Sequence, residues 1–371
     1  MQLIKFIAWA DTHHDKLGAK CITIDDTTTV EALIFQRAAE GGFDFTLFAG
    51  DRFLKREPND ETKVRADRVI EQLVHSGKVP HYHLIGNHDW VDNTRRWHTA
   101  ESIKHFNNCI VMDEARTHVC GDVSIHSLPA DFKFEKSSYT VNPENFNIFV
   151  FHDAINGCFL NENKTQAYEG GLDISQIDLP CWDLVLAGDI HIRQDLPFRH
   201  TQGCYLGSVI QRTKADSGVQ RGWTEYTVSR SSKNSQWVID KKFQPIRNYF
   251  TRISFVVDSS TQAKNLVIPV EDVVDQLVEI RLSGDKGDVD RVADDSYWNA
   301  LIPRYGLRRL DILRAYSAQA YEEVIDMSDS ISVVHDIEKY LDAGYANLGV
   351  ISRDRIIAKV NQLKGAGHEN G

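Results

Sequence analysis

Val79-Pro80-His81-Tyr82-His83-Leu84-Ile85 runs straight into Gly86-Asn87-His88-Asp89, and the reading of this junction decides the fold. A short apolar run bounded by turn residues reads as a buried strand. The tetrapeptide after it brings an amide, an imidazole and a carboxylate to the strand's end. The same junction recurs in both directions. Residues 3–10 run into Asp11-Thr12-His13-His14, and residues 43–49 into Gly50-Asp51. Residues 146–152 finish at Phe151-His152-Asp153, and 184–187 run into Gly188-Asp189-Ile190-His191. Between them, helical spacing is visible at 30–40 (Leu33, Ile34, Ala38), stopped by Gly41-Gly42. It returns at 60–75, with Val64, Val69, Ile70, Leu73 and Val74 on one side.

Strand, polar loop and helix in alternation predict an α/β layered core with its functional loops at strand C-terminal ends. Further strands are expected at 119–128, 204–209, 223–228 and 237–243. After Tyr249 the pattern changes, with strands at 251–257 and 277–282 and a charged segment at 285–296, so a domain boundary is placed near 245. Two short amphipathic helices are expected at the end. One carries Val333, Val334, Ile337, Tyr340 and Leu341; the other starts at Ser352 as N-cap and carries Ile356, Ile357, Val360 and Leu363.

The 371 residues suit two domains and a tail, and 42% hydrophobic with 26% charged residues is an ordinary globular balance. No apolar run approaches the roughly 20 residues that cross a bilayer. The N-terminal run lacks a basic region followed by a long apolar stretch and a cleavage site, so no secretion signal is read and the cytoplasm is expected. Six cysteines form no C-x-x-C pair, against a zinc ribbon or a disulfide framework. The formal charge of −11 argues mildly against nucleic acid, unless metals, a local patch, a second copy or a partner supply the grip.

Taken singly, Asp-x-His after a strand is most often a turn, Gly-Asp is commonplace, and His152 alone reads as a core histidine. Five such clusters in order are a different matter. Carboxylate, amide and imidazole without thiolate suit Mn²⁺, Fe²⁺ or Zn²⁺ better than Ca²⁺. Two ions roughly 3.5–4 Å apart need one bridging carboxylate and a few further ligands each, and these clusters supply that count.

The order D-x-H, G-D, G-N-H-D, H, G-x-x-H resembles the signature of the calcineurin-like metallophosphoesterases. Within them, Ala10-Asp11-Thr12-His13, Ala49-Gly50-Asp51-Arg52-Phe53, Ala187-Gly188-Asp189-Ile190-His191 with Gln194, and Tyr205-Leu206-Gly207-Ser208 look most like the SbcD-type nucleases. The resemblance is clear over about residues 3–228. It implies a layered α-β-β-α core over 1–245, a smaller α+β capping domain over 250–325 and C-terminal helices at 328–371. It further implies a first metal on Asp11, His13, Asp51 and His191, and a second on Asp51, Asn87, His152 and Asp189. The expected ions are two Mn²⁺, with Mg²⁺, Fe²⁺ or Zn²⁺ as alternatives. His88 would assist the chemistry, with Asp89 orienting its ring.

Two positions depart from the family pattern. Asp189 stands where the family's last motif carries its first histidine, which makes the second site harder and less positive; a competent site with altered metal preference is expected, with a weakened second metal as the rival. Arg52-Phe53-Leu54-Lys55 replaces a hydrophobic residue followed by an extra histidine or aspartate.

The implied partners are DNA and an SbcC-like, SMC-like coiled-coil ATPase gripped by segments 329–343 and 352–364, which otherwise fold back on the capping domain. A homodimer within a heterotetramer is implied through helices, with 60–75 and 94–106 as candidates, and no membrane. Arg52, Lys55, Arg56, Arg95, Arg96, Arg193, Arg199 and Arg212 are candidates for a phosphate path; the plainer reading is a scatter of surface charge. The expected function is a DNA exonuclease and endonuclease in repair, recombination or phage genome processing. A phosphatase or cyclic-nucleotide phosphodiesterase on the same fold, and a non-catalytic DNA- or ATPase-binding scaffold, remain the alternatives.

Overall fold

The computed structural model describes residues 2–15, 22–75, 79–160, 164–212, 216, 219–233, 235–266 and 273–317. The segments 329–343 and 352–364, expected as C-terminal helices, lie outside the described residues. In chain order the elements begin β1 (Gln2–Trp9), α1 (Ile24–Glu40), β2 (Phe45–Phe48), α2 (Asp60–His75), β3 (His81–Leu84) and β4 (Cys109–Met112). Then come β5 (Arg116–Cys120), β6 (Val123–Leu128), β7 (Phe146–His152), a single turn α3 (Ile174–Ile177), β8 (Leu184–Gly188), β9 (Gln194–Asp195) and β10 (Gln202–Tyr205). They are followed by β11 (Gly222–Arg230), β12 (Val238–Pro245), β13 (Phe250–Val257), β14 (Leu277–Gly284), α4 (Lys286–Ala293), α5 (Tyr297–Tyr305) and β15 (Arg309–Tyr316).

Two six-stranded sheets form the layers, in the orders β12-β11-β1-β2-β3-β4 and β5-β6-β7-β8-β10-β9. β1 to β4 are parallel, as are β6, β7, β8 and β10. Alternation along the strands shows how the layers stack. Ile4, Phe6 and Ala8 of β1 share one core with Phe146, Ile148 and Val150 of β7, while Ile7 and Trp9 join Val30, Ile34 and Ile70 of the helices. Phe149 and Phe151 face a third core with Trp182 and Ile177. Side chains alternate faces along a strand, so β1 and β7 each serve two layers at once. The layered α/β core expected from the sequence is present, with the outer face of the second sheet covered mainly by loops and one-turn helices.

Several details differ from the sequence reading. Helix α1 begins at Ile24, capped reciprocally by Thr23 and Asp26, six residues before the apolar spacing becomes visible. On α2 the buried face is Thr62, Ala66, Val69 and Ile70, and Val64 is exposed. The expected strand at 119–128 is a hairpin of β5 and β6 around Gly121-Asp122, with Gly121 at φ +57°. Residues 94–106 are turns and a 3-10 segment, Glu101–His105, rather than a long helix. The charged segment 285–296 contains α4.

By contact density the described residues fall into two units. The first takes those within 2–253, 268–279 and 299–311; the second takes those within 254–267, 280–298 and 312–317. Strands β13, β14 and β15 form a three-stranded sheet in that order. In the second unit the Trp298 indole donates to the Val292 carbonyl (2.7 Å), and the Tyr316 hydroxyl donates to Asp290 (2.8 Å). Among the described residues no helix is long and apolar enough to cross a membrane.

Candidate metal centre

The ends of β1, β2 and β3 in one sheet meet the ends of β7 and β8 in the other. Each brings its cluster to one place, as parallel strands do where loops leave their C-terminal edge. The first two loops continue the β1–β2 pairing beyond the strands. The amides of Asp11, His13 and His14 donate to the carbonyls of Gly50 (3.0 Å), Asp51 (3.1 Å) and Arg52 (2.7 Å). Holding that pairing while turning inward forces the backbone into the left-handed region. Nine non-glycine positions among the described residues have positive φ, and four of them are Asp11, His13, Asp51 and Asp189. Such conformations cost about 1–3 kcal/mol each and concentrate where function over-determines them.

The geometry centres on Asp51. Its Oδ1 is 3.3 Å from His152 Nε2 and its Oδ2 is 3.6 Å from His13 Nε2. His13 Nε2 and His191 Nε2 converge to 2.9 Å, with Asp11 Oδ1 3.9 Å from the first and 4.0 Å from the second. Asp189 Oδ1 is 3.9 Å from His152 Nε2, and the Asp189 amide donates to Asp11 Oδ1 (3.2 Å). Three donor triads result, each with ligand atoms within 4.8 Å: Asp11–His13–His191, His13–Asp51–His88 and Asp11–Asp51–His152. Two of the three share Asp51.

Backbone carbonyls set the imidazoles. His152 Nδ1 donates to the Ala49 carbonyl (2.6 Å) and His13 Nδ1 faces that of Phe53 (3.4 Å), which turns both Nε2 atoms to the centre. This is how a ligating histidine is oriented by the partner of its other nitrogen. Gly50, at φ +98°, and Gly86 make room. A Cβ on Gly50 would lie 2.3 Å from His152 Nδ1, and one on Gly86 2.1 Å from Asp51 Oδ1.

His88 and Asp89 part company with the sequence reading. The ring-orienting contact of His88 is the Leu54 carbonyl, which accepts from Nδ1 at 2.7 Å. The Asp89 carboxylate instead gathers the amides of Gly86 (2.9 Å), Asp51 (3.0 Å) and Arg52 (3.1 Å), and the Thr99 hydroxyl (3.2 Å). It fixes the loop that carries Asp51 against the loop that carries His88.

Electrostatics follow from burial. Desolvation pushes the Asp11 carboxyl well up, helped by Asp51 and Asp189 and opposed by His152. It holds His13 well below its ordinary value and lowers His191 to about 4, so both rings are neutral and keep a lone pair. Burial alone would neutralise Asp51 and His152, yet their attraction wins: the carboxyl is held down and the imidazole up. The crowded, desolvated carboxyls thus compete with one another to ionise and favour a cation among them. Asp11 Oδ2 and Asn87 Oδ1 are buried with no hydrogen-bond partner, which is costly for protein groups alone and natural for ligands. The donor set therefore fits two metal ions sharing Asp51.

The structure brings Asp11, His13, Asp51, His88, His152, Asp189 and His191 together, with Asn87 in the turn that packs on Asp51. Of the basic residues read as a phosphate path, Arg52 and Arg212 are buried. Arg52 pairs with Asp67 (2.7 Å) and Arg212 reaches the Thr12 carbonyl (3.5 Å), so both are engaged within the fold. Arg199 lies before β10, at the sheet end opposite the ligands. Lys55, Arg56, Arg95, Arg96 and Arg193 are exposed. The anchoring carbonyls of Ala49, Phe53 and Leu54 left no trace in the sequence, since every residue type has one.

No protein-family model matches the chain, and no curated protein matches it in sequence. Solved structures of similar shape include a dimetal phosphatase from Danio rerio, at 9% identity over 64% of this chain and 98% of that one, with a TM-score of 0.40. A purple acid phosphatase from yellow lupin seeds (Lupinus luteus) is 10% identical over 65% of this chain and 52% of its own, with a TM-score of 0.44. A predicted phosphoesterase from Streptococcus pneumoniae is 12% identical over 66% and 99%, with a TM-score of 0.30.

Proposed function

We propose that this chain is a two-metal phosphodiesterase that cuts DNA, with Mn²⁺ as its working ion. The observation that supports it is the disposition of Asp51, whose two oxygens face imidazoles from opposite sheets while Asp11 Oδ2 and Asn87 Oδ1 lie buried and unpartnered. The first ion would be held by Asp11, His13, Asp51 and His191, the second by Asp51, Asn87, His152 and Asp189. Bound there, the pair supplies Lewis acidity toward a water and a phosphoryl oxygen.

The chain's own residues do the rest. His13 and His191 stay neutral and offer lone pairs. Asp89 holds the Asp51 and His88 loops in register. His88, tied through Nδ1 to the Leu54 carbonyl, turns Nε2 to the substrate and protonates the departing sugar oxygen, a role worth roughly 10²–10⁴ in rate.

The SbcD-like motif order favours DNA as substrate and a coiled-coil ATPase as partner. Exposed Lys55, Arg56, Arg95 and Arg96 on the loops next to Asp51 and His88 support a polyanion despite the overall charge of −11. Phosphatase activity on a small ester is the second reading, favoured by the same donor set.

Purified protein with Mn²⁺ should be given end-labelled duplex and single-stranded DNA, and in parallel a phosphomonoester and a cyclic nucleotide. Cleavage of DNA with little turnover of the small esters is the expected result. Efficient turnover of the small esters with intact DNA would replace the nuclease by the phosphatase reading.

A further inference from the structure

The loop at 91–97 leaves the site beside His88 and carries an indole that lies mostly outside the core. Trp97 is 63% exposed, whereas Trp9, Trp90, Trp182 and Trp298 are all buried. An exposed indole forgoes the burial that makes tryptophan valuable to a fold. Its neighbours Arg95 and Arg96 are exposed too, and Arg56 donates to Asn93 of the same loop (2.9 Å). Arg95 has the Asp131 carboxylate at 4.0 Å and its guanidinium 5.8 Å from the Phe132 ring centre, so its head stays at the surface.

The loop is closed by its own hydrogen bonds and tied to the metal centre. The Val91 amide donates to the Trp97 carbonyl (3.0 Å), and Trp90 and His98 form an antiparallel bridge. The Thr99 amide donates to the Asp89 carbonyl (2.8 Å), and its hydroxyl reaches the Asp89 carboxylate that also fixes Asp51. Within the turn, Asp92 accepts from the amide and hydroxyl of Thr94 (2.8 and 2.6 Å). An exposed indole next in sequence to two exposed arginines, on a loop tied through Asp89 to the loop of Asp51, offers the stacking face and the cations that grip unpaired nucleic-acid strands.

We propose that the 91–97 loop is a single-strand subsite, in which Trp97 stacks on an unpaired base while Arg95 and Arg96 meet the flanking phosphates. The subsite rests on the nuclease reading above and gives it a preference for unpaired ends.

The test titrates an oligothymidylate of roughly 12 nucleotides, within the site size of one stacking groove, into the full-length protein in chelator, reading tryptophan fluorescence. Wild type should be quenched on binding. Trp97→Ala should bind at least about fivefold more weakly, Trp97→Phe should keep most of the affinity without the quench, and Arg96→Ala should reduce the salt slope by about one. Trp97→Ala binding as tightly as wild type, in a protein that cuts DNA, overturns the subsite and leaves the nuclease standing. A wild type that neither binds nor cuts DNA overturns both. Conversion of a dimer to a monomer by Trp97→Ala in sedimentation, with DNA binding unchanged, assigns the indole to a second copy and also overturns the subsite.

Discussion

Asp51 Oδ1 lies 3.3 Å from His152 Nε2, so the end of β2 in one sheet touches the end of β7 in the other at the chemical centre. Below the ligand loops the two sheets pack through apolar side chains. Placing a carboxylate and an imidazole at this seam makes the centre depend on both layers. His152→Ala should bind one equivalent of Mn²⁺ in titration calorimetry and cut DNA more than about 100-fold more slowly, beyond the loss that outer partners of a ligand give. A variant that keeps two equivalents would remove His152 from the ligand set.

The role proposed for His88 separates chemistry from metal binding. Its Nδ1 is committed to the Leu54 carbonyl, and as a proton donor it matters most when the leaving oxygen is basic. His88→Ala should lower cleavage of DNA by about 10²–10⁴ with metal content unchanged. The loss should shrink on a nitrophenyl diester, whose leaving group needs no proton. Loss of an ion in His88→Ala would make it a ligand instead.

Gly86 tests the packing behind the bridge. Because a Cβ there would sit 2.1 Å from Asp51 Oδ1, Gly86→Ala must push the carboxylate or the turn aside. Overpacking of this kind costs about 1–3 kcal/mol. The expected variant is folded, somewhat less stable in urea, and poor in both metal binding and activity. Wild-type metal affinity in Gly86→Ala would show that the turn yields freely.

Behind the ligand loop, the fully buried His14 ring bridges Thr27 Oγ1 (2.8 Å) and Glu31 Oε2 (3.0 Å) of α1. Removing the ring strands a buried carboxylate. His14→Ala should destabilise the protein by about 3–5 kcal/mol, and the double variant with Glu31→Gln should recover part of it. Equal midpoints for the single and double variants in urea would deny the coupling.

Acid stability should report on Arg308. Burial works against ionisation of Asp26, but hydrogen bonds from Arg308 (2.7 and 3.0 Å) and from Thr23 prevail and hold its carboxyl below the ordinary 3.8. A carboxyl lowered on folding stabilises the native state above 3.8, and that contribution drains away as pH falls below 3.8 toward the depressed value. Asp26→Asn should therefore be less stable than wild type at pH 7, by about 1.5–3 kcal/mol, and the gap should narrow near pH 2–3. A gap that stays constant across that range would contradict the pairing.

Much of this centre was legible because parallel strands put their polar termini at one edge, so five clusters, four of them directly after apolar runs, already implied one site. The start of α1 was not, because Thr27-Thr28-Thr29 mimics a strand and the Thr23–Asp26 cap lies ahead of any apolar spacing. Arg52 read as a surface cation beside Asp51, yet it points inward to Asp67, which residue type alone does not reveal. Asp89 read as a partner of His88 because the family resemblance implies that role. Its carboxylate instead serves backbone amides three and more residues away, a choice set by the fold of the turn.

A pair of ions sharing Asp51 can be counted by mass spectrometry and by Mn²⁺ titration of wild type and Asp51→Asn. Two equivalents in wild type, falling to one or none in a folded Asp51→Asn, is the expected result. A single equivalent in wild type, or two retained in Asp51→Asn, would contradict it.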